Sequence, residues 1–197
     1  RGWELGEHKP SKSKLAKVLE LHEEAPFRDE NNNPKFRFID LFAGIGGFHL
    51  AMHQLGGKCV FASEIDDDAR LTYEYNFKKY SPQLFKEGLF NKDIKSVMPE
   101  EIPDFDVLCA GFPCQPFSQA GYKQGFEDNH KSERGNLFFD IVEIIKIKKP
   151  KAFFLENVRG LVTHDNGNTF KTIKYILYIQ KMTPLFVLEC VVMGSSD

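Results

Sequence analysis

In the stretch Cys109–Gly121, CAGFPCQPFSQAG, which directly follows the apolar run FDVL, Cys114 stands between Pro113 and Pro116. The two prolines restrict the backbone around the thiol and hold it in one direction. An accessible thiol that can become a thiolate is a nucleophile. The other cysteines, Cys59, Cys109 and Cys190, sit in strand-like apolar runs and read as small core hydrophobes. Glu156 closes another apolar run, KAFFLE. A carboxylate there is partly withdrawn from water and suits the holding or giving of a proton. If the strands before Cys114 and Glu156 are neighbours, a nucleophile and a proton-handling group share one cleft.

A second group of residues suits a ligand with a sugar. Phe42-Ala-Gly-Ile-Gly-Gly47 follows the run FRFIDLF and opens a helix. Its glycines let backbone approach a ligand and leave helix N–H groups pointing at it. Glu64 ends the next strand and can accept hydrogen bonds from a ribose diol. Asp93, in NKDI near the end of a short third strand, is either a second polar contact or a solvated turn residue. The spacing is G-x-G-G rather than the dinucleotide G-x-G-x-x-G, and no second nucleotide-binding half follows. A phosphate-free cofactor with ribose and adenine, such as S-adenosylmethionine, therefore fits at least as well as a dinucleotide. A dinucleotide-dependent oxidoreductase is the alternative, but it leaves Cys114 and Glu156 idle. His49 and His53 are spaced i,i+4 without a third ligand, so they read as helix-surface or packing residues, and no metal is expected. The lysines at 146, 148, 149 and 151 read as a solvated helix end.

The elements that must carry these residues alternate. Strands are expected in FRFIDLF, KCVFAS, FDVLCA, KAFFLE and LFVLECVV, and helices in FHLAMHQL, the stretch after Asp66-Asp67-Asp68, NLFFDIVEIIKIKK and NTFKTIKYILYIQ. Such alternation predicts an α/β fold with a mainly parallel sheet. Ligands of open parallel sheets lie at the carboxyl ends of the strands, where AGIGG, SEIDDD, AGFPCQPFSQAG and ENVRG all fall. Residues 1–35 form a polar extension with one short amphipathic helix through Leu15, Val18, Leu19 and His22, and residues 36–197 form the catalytic domain. The long polar segment from Gln119 to Gly135 is expected to act as a lid. The net charge of −2 implies no polyanion partner by itself, so nucleic-acid binding needs a local basic patch. The chain lacks a membrane-spanning apolar run, its first residues lack the apolar core of a signal peptide, and its cysteines form no CxxC pair. An intracellular setting is expected, cytoplasmic in a bacterium.

Taken in order, FIDLFAGIGGF, DVLCAGFPCQPFS, RGNLFFDIV and FLENVRGL resemble the DNA (cytosine-5) methyltransferases over residues 36–181. The resemblance implies a Rossmann-like domain that uses S-adenosylmethionine, leaves S-adenosylhomocysteine, and methylates a cytosine flipped out of double-stranded DNA. It implies Cys114 as nucleophile, Glu156 as the group holding cytosine N3, and Arg134 as a lid residue on the DNA. Phe42, Gly44 and Gly46 would line the cofactor, with Glu64 on its ribose. Ile65 and Ile94 would flank the adenine, Asp93 would bind its amino group, and Gly111, Pro113 and Leu137 would approach it. The expected partner is DNA, with no membrane and no metal, and the enzyme is expected to act as a monomer. Ile65 stands where many relatives carry Trp, and Lys92 where Gly is common. The family's later Gln-x-Arg-x-Arg, target-recognition and Gly-Asn-Ser segments have no counterpart here, so the domain is expected to be C-terminally incomplete. A non-catalytic fragment that binds cofactor or DNA is the second alternative.

Overall fold

The computed structural model describes residues 33–112, 137–158, 160–179 and the strand Leu185–Glu189. Among these, β1 (Phe36–Leu41) leads to α1 (Gly47–Gln54), β2 (Gly57–Ser63), α2 (Asp67–Phe77), α3 (Pro82–Lys86) and β3 (Phe90–Asn91). Two 3-10 turns precede β4 (Val107–Gly111). Then follow α4 (Leu137–Lys148), β5 (Ala152–Glu156), α5 (Gly160–Thr163), α6 (Asn168–Ile179) and β6 (Leu185–Glu189). The strands and helices expected from residue 36 onward are all present, LFVLECVV as far as Glu189, whereas the short helix expected through Leu15, Val18, Leu19 and His22 lies outside the described residues. The short helices α3 and α5 were not legible, because four or five residues show no period; Pro82 at the start of α3 is the local cue.

The six strands form one sheet in the order β3-β2-β1-β4-β5-β6, and every pair is parallel. Sequence order reverses between β1 and β4, the doubly wound arrangement in which loops diverge and leave a crevice. One sheet face carries Phe38, Cys59, Ala62 and Cys109, packed with Met52 of α1, Tyr73 and Phe77 of α2 and Leu84 of α3. The other carries Ile39, Leu41, Leu108, Phe153 and Leu155, packed with α4 and α6. The register of β1 on β2 steps from Phe38↔Cys59 to Ile39↔Phe61, so Val60 is an extra residue. This bulge changes which face the end of β2 presents and re-aims the strand that leads into Glu64.

Some predicted features are structural. Asp66 caps α2 by accepting from the Ala69 N–H at 2.8 Å, with Asp67 and Asp68 in the first turn beside the helix dipole. The lysine run closes α4. Lys149 takes φ 50° at the helix end, Lys148 lies 3.4 Å from Asp104, and Lys151 pairs with Asp106 at 2.7 Å. Asp106 also accepts from the Arg37 N–H, so these contacts tie together the amino ends of β1, β4 and β5, away from the crevice. Among the described residues no helix is long and apolar enough to cross a membrane.

His49 and His53 are packing residues rather than surface ones. His49 lies fully buried, stacked on Phe77 at 3.9 Å, with Nδ1 2.6 Å from Tyr73 Oη and Nε2 3.1 Å from Ser81 Oγ. Burial, and next the charge of His53, lower its pKa to about 3. On the same face Asp40 is fully buried, and among the described residues neither carboxyl oxygen has a hydrogen-bond partner. Burial pushes its pKa well up. The His49 backbone N–H opposes the rise without reaching hydrogen-bond geometry, and the charge of Glu64 adds to it.

The two groups bend the pH dependence of stability in opposite senses. His49 is neutral when folded, so its contribution is complete above its ordinary pKa of 6.5 and falls as pH drops toward 3. Asp40 is protonated when folded, so its contribution is complete below its ordinary 3.8 and falls as pH rises toward its raised pKa. Between those two ordinary values the two dependences oppose each other. Replacing Asp40 with Asn removes one of them. The stability of Asp40→Asn relative to wild type, read by urea unfolding, is expected to rise as pH is raised above the ordinary carboxylate value of 3.8. An offset that does not change with pH would mean that Asp40 is ionised in the folded chain.

Candidate functional site

The turn after β1 is built on left-handed backbone. Phe42, Gly44 and Gly46 have φ of 55°, 54° and 97°. A phenylalanine there is strained, and neighbouring bonds hold it: Ala43 N–H donates to Ser63 O at 2.9 Å, and Gly44 N–H to Glu64 Oε2 at 2.7 Å. Gly46 has a second reason to lack a side chain, since a Cβ would lie 2.0 Å from the Phe77 ring. The turn is therefore clamped between the end of β2 and the α2 core.

Glu64 is half-buried, and its other oxygen, Oε1, accepts from the Asp66 N–H at 2.8 Å. Each carboxylate oxygen keeps further lone-pair capacity for a donor above it. Next to it Ile65 is 64% exposed, an apolar side chain presented at the mouth of the crevice. After β3, Asp93 is half-buried and its Oδ1 accepts from the Lys95 N–H at 3.0 Å, so it acts as a turn cap through one of its two oxygens. Ile94, expected on a ligand face, is 5% exposed and packed in the core cluster on the α4 side.

On the other side of the reversal, β4 and β5 are neighbours, and Gly111 pairs with Glu156. A Cβ on Gly111 would lie 3.3 Å from Glu156 Oε2 and 3.9 Å from Phe42 O. The bare glycine thus leaves room for the carboxylate beside the β1 turn. Asn157 was not singled out in the sequence. It is 2% exposed, and its Nδ2 donates to Phe112 O at 2.7 Å, pinning the exit of β4 to the exit of β5. Its position directly after Glu156 was the available signal. Leu137 is half-buried at the start of α4, against the same core. Pro113, Cys114, Arg134 and the expected lid lie outside the described residues, as does Cys190. Even so, the chain leaves β4 at Phe112, two positions before Cys114 and beside the strand that ends in Glu156.

Five strand ends therefore bring together the β1 glycine turn, Glu64, Ile65, Asp93, Gly111 and Glu156 on one edge of the sheet, astride the order reversal. A family model described as C-5 cytosine-specific DNA methylase matches residues 36–178. The chain belongs to the C-5 cytosine-specific DNA methylases. This methylase chain is 54% identical over 152 residues to Type II methyltransferase M.HpaII of Haemophilus parainfluenzae, covering 77% of the chain and 39% of that protein. Against Type II methyltransferase M.HhaI of Haemophilus parahaemolyticus it is 51% identical over 138 residues, covering 70% and 38%. It spans about two fifths of the length of these relatives.

Solved structures agree on the fold. A triple mutant of Spodoptera frugiperda DNMT2 superimposes with a TM-score of 0.50 at 26% identity, over 71% of this methylase chain and 40% of its own. An E. coli prophage protein described as a DNA modification methyltransferase gives 0.53 at 24%, over 73% and 38%, a likeness of fold alone.

The described thiols of the methylase are inert. Cys59 and Cys109 are buried, and burial, followed for each by the nearby Asp40 carboxyl, pushes both thiols well up. Thiolate chemistry therefore requires a cysteine other than these two. In the native chain, Cys59 and Cys109 are expected to resist alkylation by iodoacetamide at pH 8 and to react fully in urea, as read by peptide mass spectrometry. Rapid native labelling of either would overturn their assignment to the core.

Proposed function

We propose that this chain is the cofactor-binding and nucleophile-bearing part of an enzyme that transfers a methyl group from S-adenosylmethionine to C5 of a cytosine in double-stranded DNA. The observation that carries the reading is the pairing of Gly111 with Glu156. It sets the exit toward Cys114 and the Glu156 carboxylate on adjacent strand ends, next to the β1 turn. The family assignment and the Type II methyltransferase relatives support the same reaction.

The residues present fit a cofactor that carries ribose, adenine and no phosphate. Glu64 holds a carboxylate at the β1 turn, ready for a diol. Ile65 offers an exposed apolar side for a ring, and Asp93 keeps one oxygen for an amino group. When bound, S-adenosylmethionine supplies a methyl group made electrophilic by its sulfonium. Cytosine C5 is too weak a nucleophile to take that methyl unaided. The Cys114 thiolate adds to C6, which breaks the ring's aromaticity and gives C5 enamine character. Glu156 gives a proton toward N3, donating a hydrogen bond there, and so stabilises the negative charge that gathers on the ring. After transfer, loss of the C5 proton and departure of the thiolate restore the ring. The paired prolines around Cys114 serve this chemistry because the thiol must meet one ring carbon from one direction.

The cofactor half is tested with the chain itself. Glu64→Ala is expected to weaken S-adenosylhomocysteine binding by about 1–3 kcal/mol in calorimetry, the scale of hydrogen bonds to a charged group. An unchanged affinity would remove Glu64 from the site.

The reacting half needs an enzyme long enough to bind DNA and carrying this chain. With a duplex site containing 5-fluorocytosine, that enzyme is expected to remain covalently joined to DNA through Cys114, because fluorine cannot leave C5 as a proton does. Cys114→Ser is expected to form no adduct, and Glu156→Gln to bind cofactor normally while methylating slowly. Normal methylation by Cys114→Ser would sink the covalent mechanism.

A further inference from the structure

The strand that leads to Asp93 is the weakest element of the sheet. β3 has two residues, Phe90 and Asn91, which among the described residues pair only with Ala62 and Ser63 at the sheet edge. A strand usually has about five or six residues, so two pairs are a poor anchor for a ligand-binding loop. The carbonyls that end β2 and β3 also run beyond the ladder and need donors.

Arg70, in the second turn of α2, supplies them. Its Nη1 donates to Asn91 O at 2.6 Å and to Glu64 O at 3.0 Å, and its Nη2 donates to Phe90 O at 3.1 Å. The guanidinium also lies over the Phe90 ring, 4.1 Å from its centroid. One planar cation thus bridges the backbone of Glu64 to the last two residues of β3. The Glu64 N–H completes the link by donating to Asn91 O at 3.2 Å. From there Asn91 Oδ1 accepts from the Asp93 N–H at 3.0 Å, which orients the next polar residue.

A second tie joins the same elements: Lys92 pairs with Asp67 at 2.7 Å, but both side chains are mostly exposed. Such a pair is screened and costs side-chain freedom, so it contributes little. The half-buried guanidinium, with a fixed fork and three carbonyl partners, is the stronger constraint.

We propose that Arg70 is a positioning residue that locks the ends of β2 and β3 at the spacing required by Glu64 and Asp93, and so sets affinity for the adenosine half of the cofactor. The proposal rests on the cofactor reading above, but its clamp can be tested without a ligand. Arg70→Met keeps the apolar stem over Phe90 and removes the donors, while Arg70→Lys retains a cation able to hold one carbonyl. Asp67→Asn breaks the exposed pair and serves as the control.

Amide hydrogen exchange and S-adenosylhomocysteine calorimetry are run on the full chain of each variant. Arg70→Met is expected to speed exchange at Glu64 and Asp93 while leaving Ile39 of β1 and Leu108 of β4 unchanged. It is expected to weaken S-adenosylhomocysteine about tenfold, the scale of one lost charge-assisted hydrogen bond. Arg70→Lys should fall between it and wild type, and Asp67→Asn should match wild type in both measurements. Exchange that accelerates equally through β1 and β4 would make Arg70 a general stabiliser and overturn the proposal. Wild-type exchange at Glu64 and Asp93, or wild-type affinity in Arg70→Met, would overturn it as well. Should the wild-type chain not bind S-adenosylhomocysteine, the cofactor reading fails, and the exchange data alone decide whether Arg70 clamps the strands.

Discussion

The pairing of β4 with β1 on one side and β5 on the other is the constraint from which the site follows. Parallel strands need crossover connections, and those are right-handed almost without exception. A chain that runs outward from β1 to β3 and then returns to the far side of β1 must therefore place its two sets of helices on opposite faces. The described core divides in that way, with α1, α2 and α3 on one face and α4 and α6 on the other. At the reversal the helices that follow β1 and β4 lie on opposite faces of the sheet. The crevice left there gathers the β1 turn, Glu64 and Glu156.

Within that crevice the fixed points are mostly backbone groups. Gly44 and Asp66 donate to Glu64, Asn157 donates to Phe112 O, and Arg70 donates to three carbonyls. Glycine matters at two places for different reasons: Gly46 because a methyl would enter the Phe77 ring, and Gly111 because one would crowd Glu156. A site anchored by backbone hydrogen bonds tolerates variation in the side chains that touch the ligand.

The face beneath the β1 turn carries an unusual load of polar groups. His49 is satisfied by Tyr73 and Ser81 and is held neutral, whereas the buried carboxyl of Asp40 lacks a hydrogen-bond partner among the described residues. A buried polar group without a partner costs free energy that the apolar packing around it must offset. Asp40 lies one strand from Glu64 and feels its charge, so the cost falls beside the glycine turn and not at random in the core.

The sequence by itself determined the element order, the alternation of strand and helix, the glycine turn after β1 and the methylase family. Those signals are local or fixed in register: apolar runs, caps such as Asp66, glycine spacing, and four ordered motifs. The strand-end places of Glu64 and Glu156 and the burial of Cys59 and Cys109 were legible for the same reason, since each is a residue type at a strand end or inside a strand. Only the tertiary structure decided which strands touch, and with it that Gly111 faces Glu156 and that Asn157 and Arg70 bind carbonyls distant in sequence. It also decided that Ile94 turns into the core and that His49 finds Tyr73 and Ser81. These contacts join residues about 20 to 45 positions apart, and helix packing on the two sheet faces sets them. No local spacing encodes such distances. The physical reason is that periodicity specifies which face of an element is buried, whereas register and crossover specify what it is buried against.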